Sequence, residues 1–189
     1  MKSENIERFM DCPPDQNLPI KRYLDGLAPI SNVHAQTLIL GSFPGVASLK
    51  AQQYYRHPRN AFWPICAEAL NFLLDAHYSE RCAQLMQNNI AVWDVLSSCK
   101  RQGSLDSAIE TATIRCNDFS SFFRTHPKIQ RVVFNGGVAR RFFDRFALPN
   151  LPKSLALQLL TMPSTSPAFA AMRIEQKRAV WHFALRNIT

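Results

Sequence analysis

Short apolar runs, each ended by glycine, proline or polar residues, recur along the chain and predict the strands of a sheet. Four of them are separated by segments in which apolar residues have helical spacing, and they cover 36–41, 90–96, 131–134 and 155–161. Runs of this length that are apolar on both faces are typical of parallel strands covered by helices. The pattern therefore predicts an α/β fold with three layers (α/β/α), in which a central four-stranded parallel sheet lies between helices.

The segments between these runs predict helices. They share apolar residues at helical spacing and cover 62–76, 78–88, 138–146 and the stretch from 169 or 172 to 186. Asp118 is a candidate N-cap for a further helix, which begins at Phe119 and ends at His126-Pro127. A short helix is also expected around 21–27.

The loops that follow the four runs are the most polar parts of the chain and the richest in Gly and Pro. They cover 41–60, 97–107, 135–137 and 163–168. Right-handed crossovers bring the loops after parallel strands to one edge of the sheet, where open α/β sheets bind their ligands. We expect a site at that edge, formed by Gly41-Ser42-Phe43-Pro44-Gly45 and the aromatic and basic segment 52–63.

Length and hydropathy narrow the class of protein. The chain has 189 residues, of which 47% are hydrophobic, and this is enough for one domain with a substantial core. No apolar run approaches the ~18–20 residues that cross a bilayer, and the first nine residues lack the apolar core of a signal peptide. We expect a cytoplasmic monomer, associated with the nucleoid if the source is a prokaryote, and without membrane contact.

The positive charge of the chain indicates a polyanionic partner. The net charge is +8, from 22 basic and 14 acidic residues, and a pI above ~9 with clustered basic residues is typical of nucleic-acid binding. Basic residues cluster at 56–59, 100–101, 140–141 and 173–178. Solvated helix faces explain the last two clusters equally well. The first lies beside Tyr54 and Tyr55, and nucleic-acid sites combine such charge with aromatic rings that stack on bases.

The cysteines indicate no metal site. There are five of them, an odd number, and no Cys-x-x-Cys occurs, so neither a disulfide framework nor a zinc ribbon is indicated. An iron–sulfur cluster bound by four of them is the remaining alternative, but no closely spaced pair supports it. We expect reduced, mostly buried thiols, and neither metal nor cofactor.

Three strings that occur in this order resemble a known family. They are Gly41-Ser42-Phe43-Pro44-Gly45, His57-Pro58-Arg59-Asn60-Ala61-Phe62-Trp63 and Met162-Pro163-Ser164-Thr165-Ser166-Pro167. Together they resemble the uracil-DNA glycosylase superfamily and, within it, the hypoxanthine-DNA (deoxyinosine) glycosylase branch. Features of that branch also match at 52–55, 93–95, 103–106 and 134–136. The similarity starts near Leu27, so we expect a leader over 1–26 and a single glycosylase-like domain over 27–189.

The resemblance implies an activity as well as a fold. The fold of that family is a four-stranded parallel sheet between helices, in agreement with the hydrophobic pattern. Its members remove a deaminated base from DNA by cleaving the N-glycosidic bond, without a metal or an organic cofactor, and the branch in question acts on hypoxanthine. The expected partner is therefore DNA that contains a deaminated base. No Lys stands in the motifs where a Schiff-base nucleophile would be expected, which favours a monofunctional hydrolase.

The motifs imply roles for the residues that match them. In the uracil branch a catalytic Asn occupies the middle of the first motif, where this chain has Phe43, whereas the hypoxanthine branch places the catalytic Asn at the position of Asn60. Tyr55 stands where relatives have the aromatic ring that stacks on the flipped base. The further base-binding candidates are Gly41, Ser42, Phe43 and His57. The candidates for contact with the DNA backbone, or for a wedge in the helix, are Pro44, Gly45, Arg59, Ser164, Thr165 and Ser166.

The chemistry of cleavage favours an amide at the centre of this site. Negative charge grows on the departing base while the sugar becomes oxocarbenium-like. Asn60 offers two N–H donors and one acceptor, so it can bond the leaving group or position water, and it can also cap the helix that starts at Phe62. His57 is expected to support the site, and Asp94 and Asn135 are additional candidates at strand ends.

Three other functions stay open at this point. The first is a glycosylase for uracil or another deaminated base, against which Phe43 argues. The second is a non-catalytic binder of damaged DNA with the same fold. The third is a flavodoxin-like nucleotide-binding domain, although the basic pI, the paired tyrosines and the lack of a Gly-rich phosphate loop count against it.

Overall fold

The computed structural model describes residues 23–186 and is built around a sheet of parallel strands. Its strands and helices are, in chain order, β1 (Leu24–Asp25), β2 (Thr37–Gly41), α1 (Val46–Ala51), α2 (Phe62–Leu70), α3 (Tyr78–Gln87), β3 (Ile90–Asp94), β4 (Leu96–Cys99), β5 (Arg115–Cys116), α4 (Phe119–Thr125), β6 (Arg131–Asn135), α5 (Gly137–Phe142), β7 (Gln158–Met162) and α6 (Ile174–Arg186).

The central sheet has four strands in the order β3–β2–β6–β7, and all neighbours are parallel. Strand β2 is buried along all five of its residues, because it has a neighbour on each side and helices over both faces. The register places Gly41 at the end of β2 beside Asp94 at the end of β3. The predicted three-layer α/β fold with a four-stranded parallel sheet is confirmed.

The two faces of the sheet carry separate hydrophobic clusters, since side chains alternate along a strand. Leu38 and Leu40 of β2 pack into a cluster that contains Phe119 of α4 and Phe143 after α5. Ile39 points to the opposite face. There it joins a second cluster, which includes Phe62 and Ile65 of α2, Leu85 of α3 and Trp181 of α6. Helices therefore cover the sheet from both sides.

Helix α2 ends at Leu70, so the prediction of a helix over 62–76 is wrong in its last part. Asn71 takes up a left-handed conformation, with φ 56° and ψ 53°, and its N–H caps the carbonyl of Ala67. Such a residue ends a helix. Leu73 and Leu74, whose spacing continues the helical pattern, lie on the surface instead, with exposed fractions of 75% and 47%.

The apolar run over 90–96 forms two strands instead of one. Val95 donates a hydrogen bond to the carbonyl of Gly41 and Leu96 donates to that of Ser42, so the chain leaves the central sheet at this point. Strand β4 then pairs with β1 and β5 in a small antiparallel sheet. The helix expected around 21–27 is wrong over the described part, where Leu24–Asp25 is a strand, and residues 21 and 22 lie outside the described residues.

Other element boundaries differ by a few residues. Strand β7 begins at Gln158 rather than at 155, α5 passes into a π-helical turn at Phe143–Ala147, and α6 begins at Ile174. The N-cap prediction is confirmed, since the Asp118 carboxylate accepts a hydrogen bond of 3.0 Å from the Ser121 N–H. The division into a leader over 1–26 and a domain over 27–189 stays a prediction, because 1–22 and 187–189 lie outside the described residues.

Residues 23–186 contain neither a membrane-spanning helix nor a metal-binding cluster. None of their helices is both long enough and apolar enough to cross a membrane. They also hold no group of three or more His, Cys, Asp and Glu side chains that could bind a metal ion. The described cysteines have free thiols at Cys66, Cys82, Cys99 and Cys116, and Cys12 lies outside the described residues.

Candidate active site

A cavity of about 430 Å³ lies at the carboxyl edge of the central sheet. Its volume is within the range of about 300–1,000 Å³ that is typical of ligand pockets. The walls come from the turn after β2, the segment between α1 and α2, the loop after β4 and the loop after β7. Every residue predicted for the site borders this cavity: Gly41, Ser42, Phe43, Pro44, Gly45, Tyr55, His57, Arg59, Asn60, Asp94, Asn135, Ser164, Thr165 and Ser166.

All five residues of the turn after β2 border the cavity. Phe43 belongs to the hydrophobic core and is only 6% exposed. The Arg101 guanidinium lies 5.0 Å from the centre of its ring. Phe43 is thus mostly covered by its neighbours although it borders the cavity, and its assignment as a base-binding residue stays a prediction.

Three side chains from the loop after β4 hold this turn in place. Arg101 Nη2 donates a hydrogen bond of 2.5 Å to the Pro44 carbonyl, and Ser42 Oγ donates to the Asp106 carboxylate at 2.8 Å. The backbone N–H of Val46 donates to Ser104 Oγ at 3.0 Å. The sequence predicts no role for Arg101 or Ser104, and it leaves the role of Asp106 ambiguous. The string 103–106, a feature of the hypoxanthine branch, is the signal that points to Ser104 and Asp106.

Arg101 and Asp106 form a partly buried pair of opposite charge. Arg101 Nη1 lies 3.9 Å from Asp106 Oδ1, and the Arg101 side chain is fully buried. Burial lowers the pKa of Arg101 against the effect of Asp106. Burial also raises the pKa of Asp106, while the hydrogen bond from Ser42 and the charges of Arg101 and Arg141 act in the opposite direction. Of this pair, Asp106 borders the cavity.

Asp94 lies at the floor of the cavity and is 3% exposed. Its backbone carbonyl accepts a hydrogen bond of 2.8 Å from Asn117 Nδ2, which fixes the end of β3. Burial, together with the negative charge of Asp106, raises the pKa of its carboxyl group to about 8, although Arg101 acts against this. Asp94 is therefore mostly protonated, and so neutral, at pH 7.

Tyr55 is held in a left-handed backbone conformation, with φ 54°. Its ring stacks on that of Phe62, with 3.9 Å between ring centres and 27° between planes. The phenol oxygen is buried and interacts with the side chain of Asn135, but it forms no well-aligned hydrogen bond among the described residues. Burial, and to a smaller extent the Asp94 carboxylate in its ionised form, raise the pKa of Tyr55 far above its ordinary value, so the hydroxyl stays protonated. A base can stack on Tyr55 only from the side away from Phe62.

Asn60 closes a turn at the start of α2. Its N–H donates to the carbonyl of His57 at 2.8 Å, and its Oδ1 accepts a hydrogen bond of 3.0 Å from the N–H of Phe62. The expected cap at Phe62 is thus present. Because Oδ1 is engaged, the amide has its two N–H donors left for a ligand. Arg59 donates its backbone N–H to His57 Nδ1 at 3.2 Å, and both side chains are exposed at the rim.

Asn135 and Thr165 join the end of β6 to the loop after β7. Asn135 Nδ2 donates to Thr165 Oγ1, and Asn135 Oδ1 accepts from the Thr165 N–H, each at 2.8 Å. Thr165 also accepts a hydrogen bond of 3.0 Å at its carbonyl from Ala61. Since Thr165 is 1% exposed, the expectation that it contacts DNA is wrong, and it anchors the loop from inside instead.

Side chains of helix α6 form hydrogen bonds with the loop after β7 and with the residue that follows it. Trp181 Nε1 donates to the carbonyl of Pro163 at 2.9 Å, and Lys177 Nζ donates to that of Phe169 at 2.7 Å. Gly136, with φ 105°, leaves room for Ser164, because a Cβ at Gly136 would lie 2.9 Å from the Ser164 Cβ. Ser164 and Ser166 are partly exposed at the cavity. They are the hydroxyl groups of this loop that DNA can reach.

The basic clusters differ in their surroundings. Arg56 and Arg59 are both exposed, and Arg59 borders the cavity. Arg140 pairs with Asp144 at 2.8 Å, and Arg178 pairs with Glu68 at 3.6 Å, on partly exposed helix surfaces. These ion pairs favour the interpretation of the two later clusters as solvated helix faces.

The known proteins with similar sequences or structures that are described next are all named as DNA glycosylases. No family model matches the chain. It is 33% identical over 144 residues to a hypoxanthine DNA glycosylase from Methanosarcina acetivorans, across 76% of this chain and 86% of that protein. It is 37% identical over 112 residues to one from Methanosarcina barkeri, across 59% and 70%. The solution NMR structure of a candidate uracil DNA glycosylase from M. acetivorans superposes with a TM-score of 0.73 at 29% identity, across 88% of this chain and 99% of that one.

Proposed function

Because the chain belongs to the hypoxanthine DNA glycosylase family, we propose that it removes hypoxanthine from DNA by hydrolysing the N-glycosidic bond. It is a DNA N-glycosylase for deaminated bases, and a base inside a duplex must be flipped out before an enzyme can act on it. The main support for the proposal is that all the predicted site residues border one cavity of about 430 Å³. That cavity receives the flipped base.

Asn60 is the residue that we place beside the glycosidic bond. Its Oδ1 is fixed by the Phe62 N–H, so the two amide N–H groups keep a defined direction. They can donate to the departing purine as negative charge grows on it. One donor that strengthens its bond in the transition state contributes about 3 kcal/mol to catalysis.

The other contacts bind the base and the DNA around it. Tyr55 stacks on the base from the side that Phe62 leaves free, and stacking of this kind contributes about 1–3 kcal/mol per base. The exposed guanidinium of Arg59 and the hydroxyls of Ser164 and Ser166 contact phosphates. The net charge of +8 supports this assignment, because neutralised phosphates release counterions.

A panel of duplex oligonucleotides tests the proposal. Duplexes with one inosine, one uracil or neither are incubated with excess protein and then treated with hot alkali, which breaks the strand at each abasic site. We expect breakage at inosine, and only after alkali because the mechanism is hydrolytic. Preferential breakage at uracil would support the alternative substrate. Tight binding without breakage at any base would indicate a non-catalytic binder.

Asn60→Ala in the same assay tests the catalytic role. We expect the single-turnover rate constant on inosine to fall about 100-fold, the loss typical of one such donor. The matched control is Asn150→Ala, which removes an exposed amide outside the cavity and should leave the rate constant within twofold of wild type. Full activity of Asn60→Ala would refute the assignment.

A further inference from the structure

The carboxyl group of Asp94 lies across the end of the neighbouring strand. Gly41 is its register partner on β2, and a Cβ at Gly41 would lie only 2.2 Å from Asp94 Oδ1. The carboxyl group therefore fills the space that the missing side chain leaves. This position puts it inside the cavity, at the point where both strands end.

Two buried polar groups at this point form no well-aligned hydrogen bond within the described part of the chain. Asp94 Oδ2 has no hydrogen-bond partner there. The Tyr55 hydroxyl interacts with the side chain of Asn135, but the geometry falls short of a hydrogen bond. Buried polar atoms are nearly always paired, so each exception needs an explanation. Both groups border the same cavity. A ligand that fills the cavity and offers polar atoms would complete their hydrogen bonds.

Burial and the negative charge of Asp106 favour the neutral form of Asp94, whereas Arg101 favours the charged form. Tyr54 and Tyr55 face it from the segment between α1 and α2, and burial raises the pKa of each far above its ordinary value. Arg101 and Asp106 face it from the loop after β4. Arg101 donates to the carbonyls of Pro44 and Gly103 and pairs with Asp106. Among the described residues, no cation forms an ion pair with Asp94, so its uncharged form is the stable one.

We propose that Asp94 is the acid that protonates the purine as it leaves the sugar, a role that rests on the proposed glycosylase function. When the bond between C1′ and N9 breaks, its electron pair goes to the purine, and the Asp94 proton passes to a ring nitrogen. The oxygen of a water molecule then bonds C1′, and a proton of that water returns to the Asp94 carboxylate. One water is consumed, neutral hypoxanthine is released and the enzyme is unchanged.

The proposal explains why a purine suits this cavity. A purine has acceptor nitrogens outside the glycosidic bond, such as N7, which can take up a proton. General acid catalysis of this kind contributes about 10²–10⁴-fold. Asn60 can donate a hydrogen bond to the base but cannot give up a proton, so the two residues have different tasks.

The test compares Asp94→Asn with wild type over pH 6–10. The variant keeps the size of the neutral side chain and can donate a hydrogen bond, but it has no proton to transfer. Asp75→Asn is the control, since Asp75 is exposed and lies outside the cavity. The measurements are single-turnover rate constants on inosine duplex, with enzyme in excess, and Kd by fluorescence anisotropy.

We expect the wild-type rate constant to be level at low pH and to fall about tenfold per pH unit above a pKa of about 8. Asp94→Asn should be slower at pH 7 by about 10²–10³-fold, lack this alkaline decline and bind inosine duplex with Kd within threefold of wild type. Asp75→Asn should match wild type throughout. If Asp94 had only a structural role, Asp94→Asn would lower the rate constant but would keep the alkaline decline.

Two results would overturn the role of Asp94. One is a wild-type rate constant that stays level to pH 10, a result that does not depend on the folding of any variant. The other is an alkaline decline that persists unchanged in Asp94→Asn, as ionisation of the base itself would produce. A wild-type protein that cleaves no inosine duplex would instead refute the proposed function.

Discussion

Replacing Asn135 with alanine should loosen the loop 163–168 from the sheet. The amide of Asn135 is the link between β6 and this loop, with two hydrogen bonds of 2.8 Å to Thr165. Asn135 and Thr165 are 9% and 1% exposed, so water cannot easily replace the lost partner. The substitution leaves both the N–H and the hydroxyl of Thr165 without their partner in a buried place.

The expected loss of stability follows from these two bonds. A hydrogen bond contributes a net ~0.5–1.5 kcal/mol, and a buried polar group left unpaired costs ~1–3 kcal/mol. Asn135→Ala should therefore lower the free energy of unfolding by about 2–4 kcal/mol. Thr165→Val removes the hydroxyl but keeps the N–H, and should cost about 1–2 kcal/mol. The double variant should show a coupling energy of about 1 kcal/mol, since the side-chain bond is lost only once.

Urea unfolding followed by tryptophan fluorescence measures these free energies, provided that the m-value is unchanged between the variants. Asn150→Ala serves as the control, because its exposed amide donates a single hydrogen bond to the carbonyl of Phe146. We expect it to cost less than half as much as Asn135→Ala. A cost below ~0.5 kcal/mol for Asn135→Ala, or no coupling with Thr165→Val, would refute the anchoring role.

Two further substitutions test the close approach at the cavity floor and the helix cap. Gly41→Ala places a Cβ 2.2 Å from Asp94 Oδ1, so the carboxyl group must move. We therefore expect single-turnover cleavage of inosine duplex to slow at least tenfold, and a wild-type rate constant would contradict this geometry. Asp118→Ala should lower the Tm at pH 7, because the Asp118 carboxylate accepts a hydrogen bond from Ser121, which holds its pKa below the ordinary value. The contribution of the cap to stability is present above about pH 4 and is lost as the pH falls through the lowered pKa of Asp118. The difference in Tm between wild type and Asp118→Ala should therefore shrink in thermal melts as the pH falls from 7 to 2. A difference that stays constant would argue against the cap.

The local sequence pattern was sufficient to predict the strands of the central sheet and the edge of the sheet at which the site lies. The strands Thr37–Gly41 and Arg131–Asn135 follow from short apolar runs that end in glycine, because a strand covered on both faces needs nothing but apolar side chains. The position of the loops follows from the handedness of crossovers between parallel strands. The motif positions then identified residues that all border one cavity.

Local pattern failed at the end of one helix and at strands that are too short to show a period. Leu73 and Leu74 continue the helical spacing of α2, but the left-handed Asn71 ends that helix before them. Strands β1 and β5 have two residues each, too few to show a period. They form because β4 lies outside the central sheet, where each of its two edges can pair with one of them.

The sequence by itself determined the α/β class, the edge of the sheet where the site lies and the types of residue that line it. Tertiary structure decided how those residues are used. Phe43 and Thr165 are buried, and Tyr55 has one face covered by Phe62. Asp94 lies beside Gly41, and its Oδ2 has no hydrogen-bond partner within residues 23–186. The physical reason is that burial and charge at one atom depend on neighbours far away in the chain. Asp106 and Arg101, which set the charge around Asp94, meet it only when the chain folds.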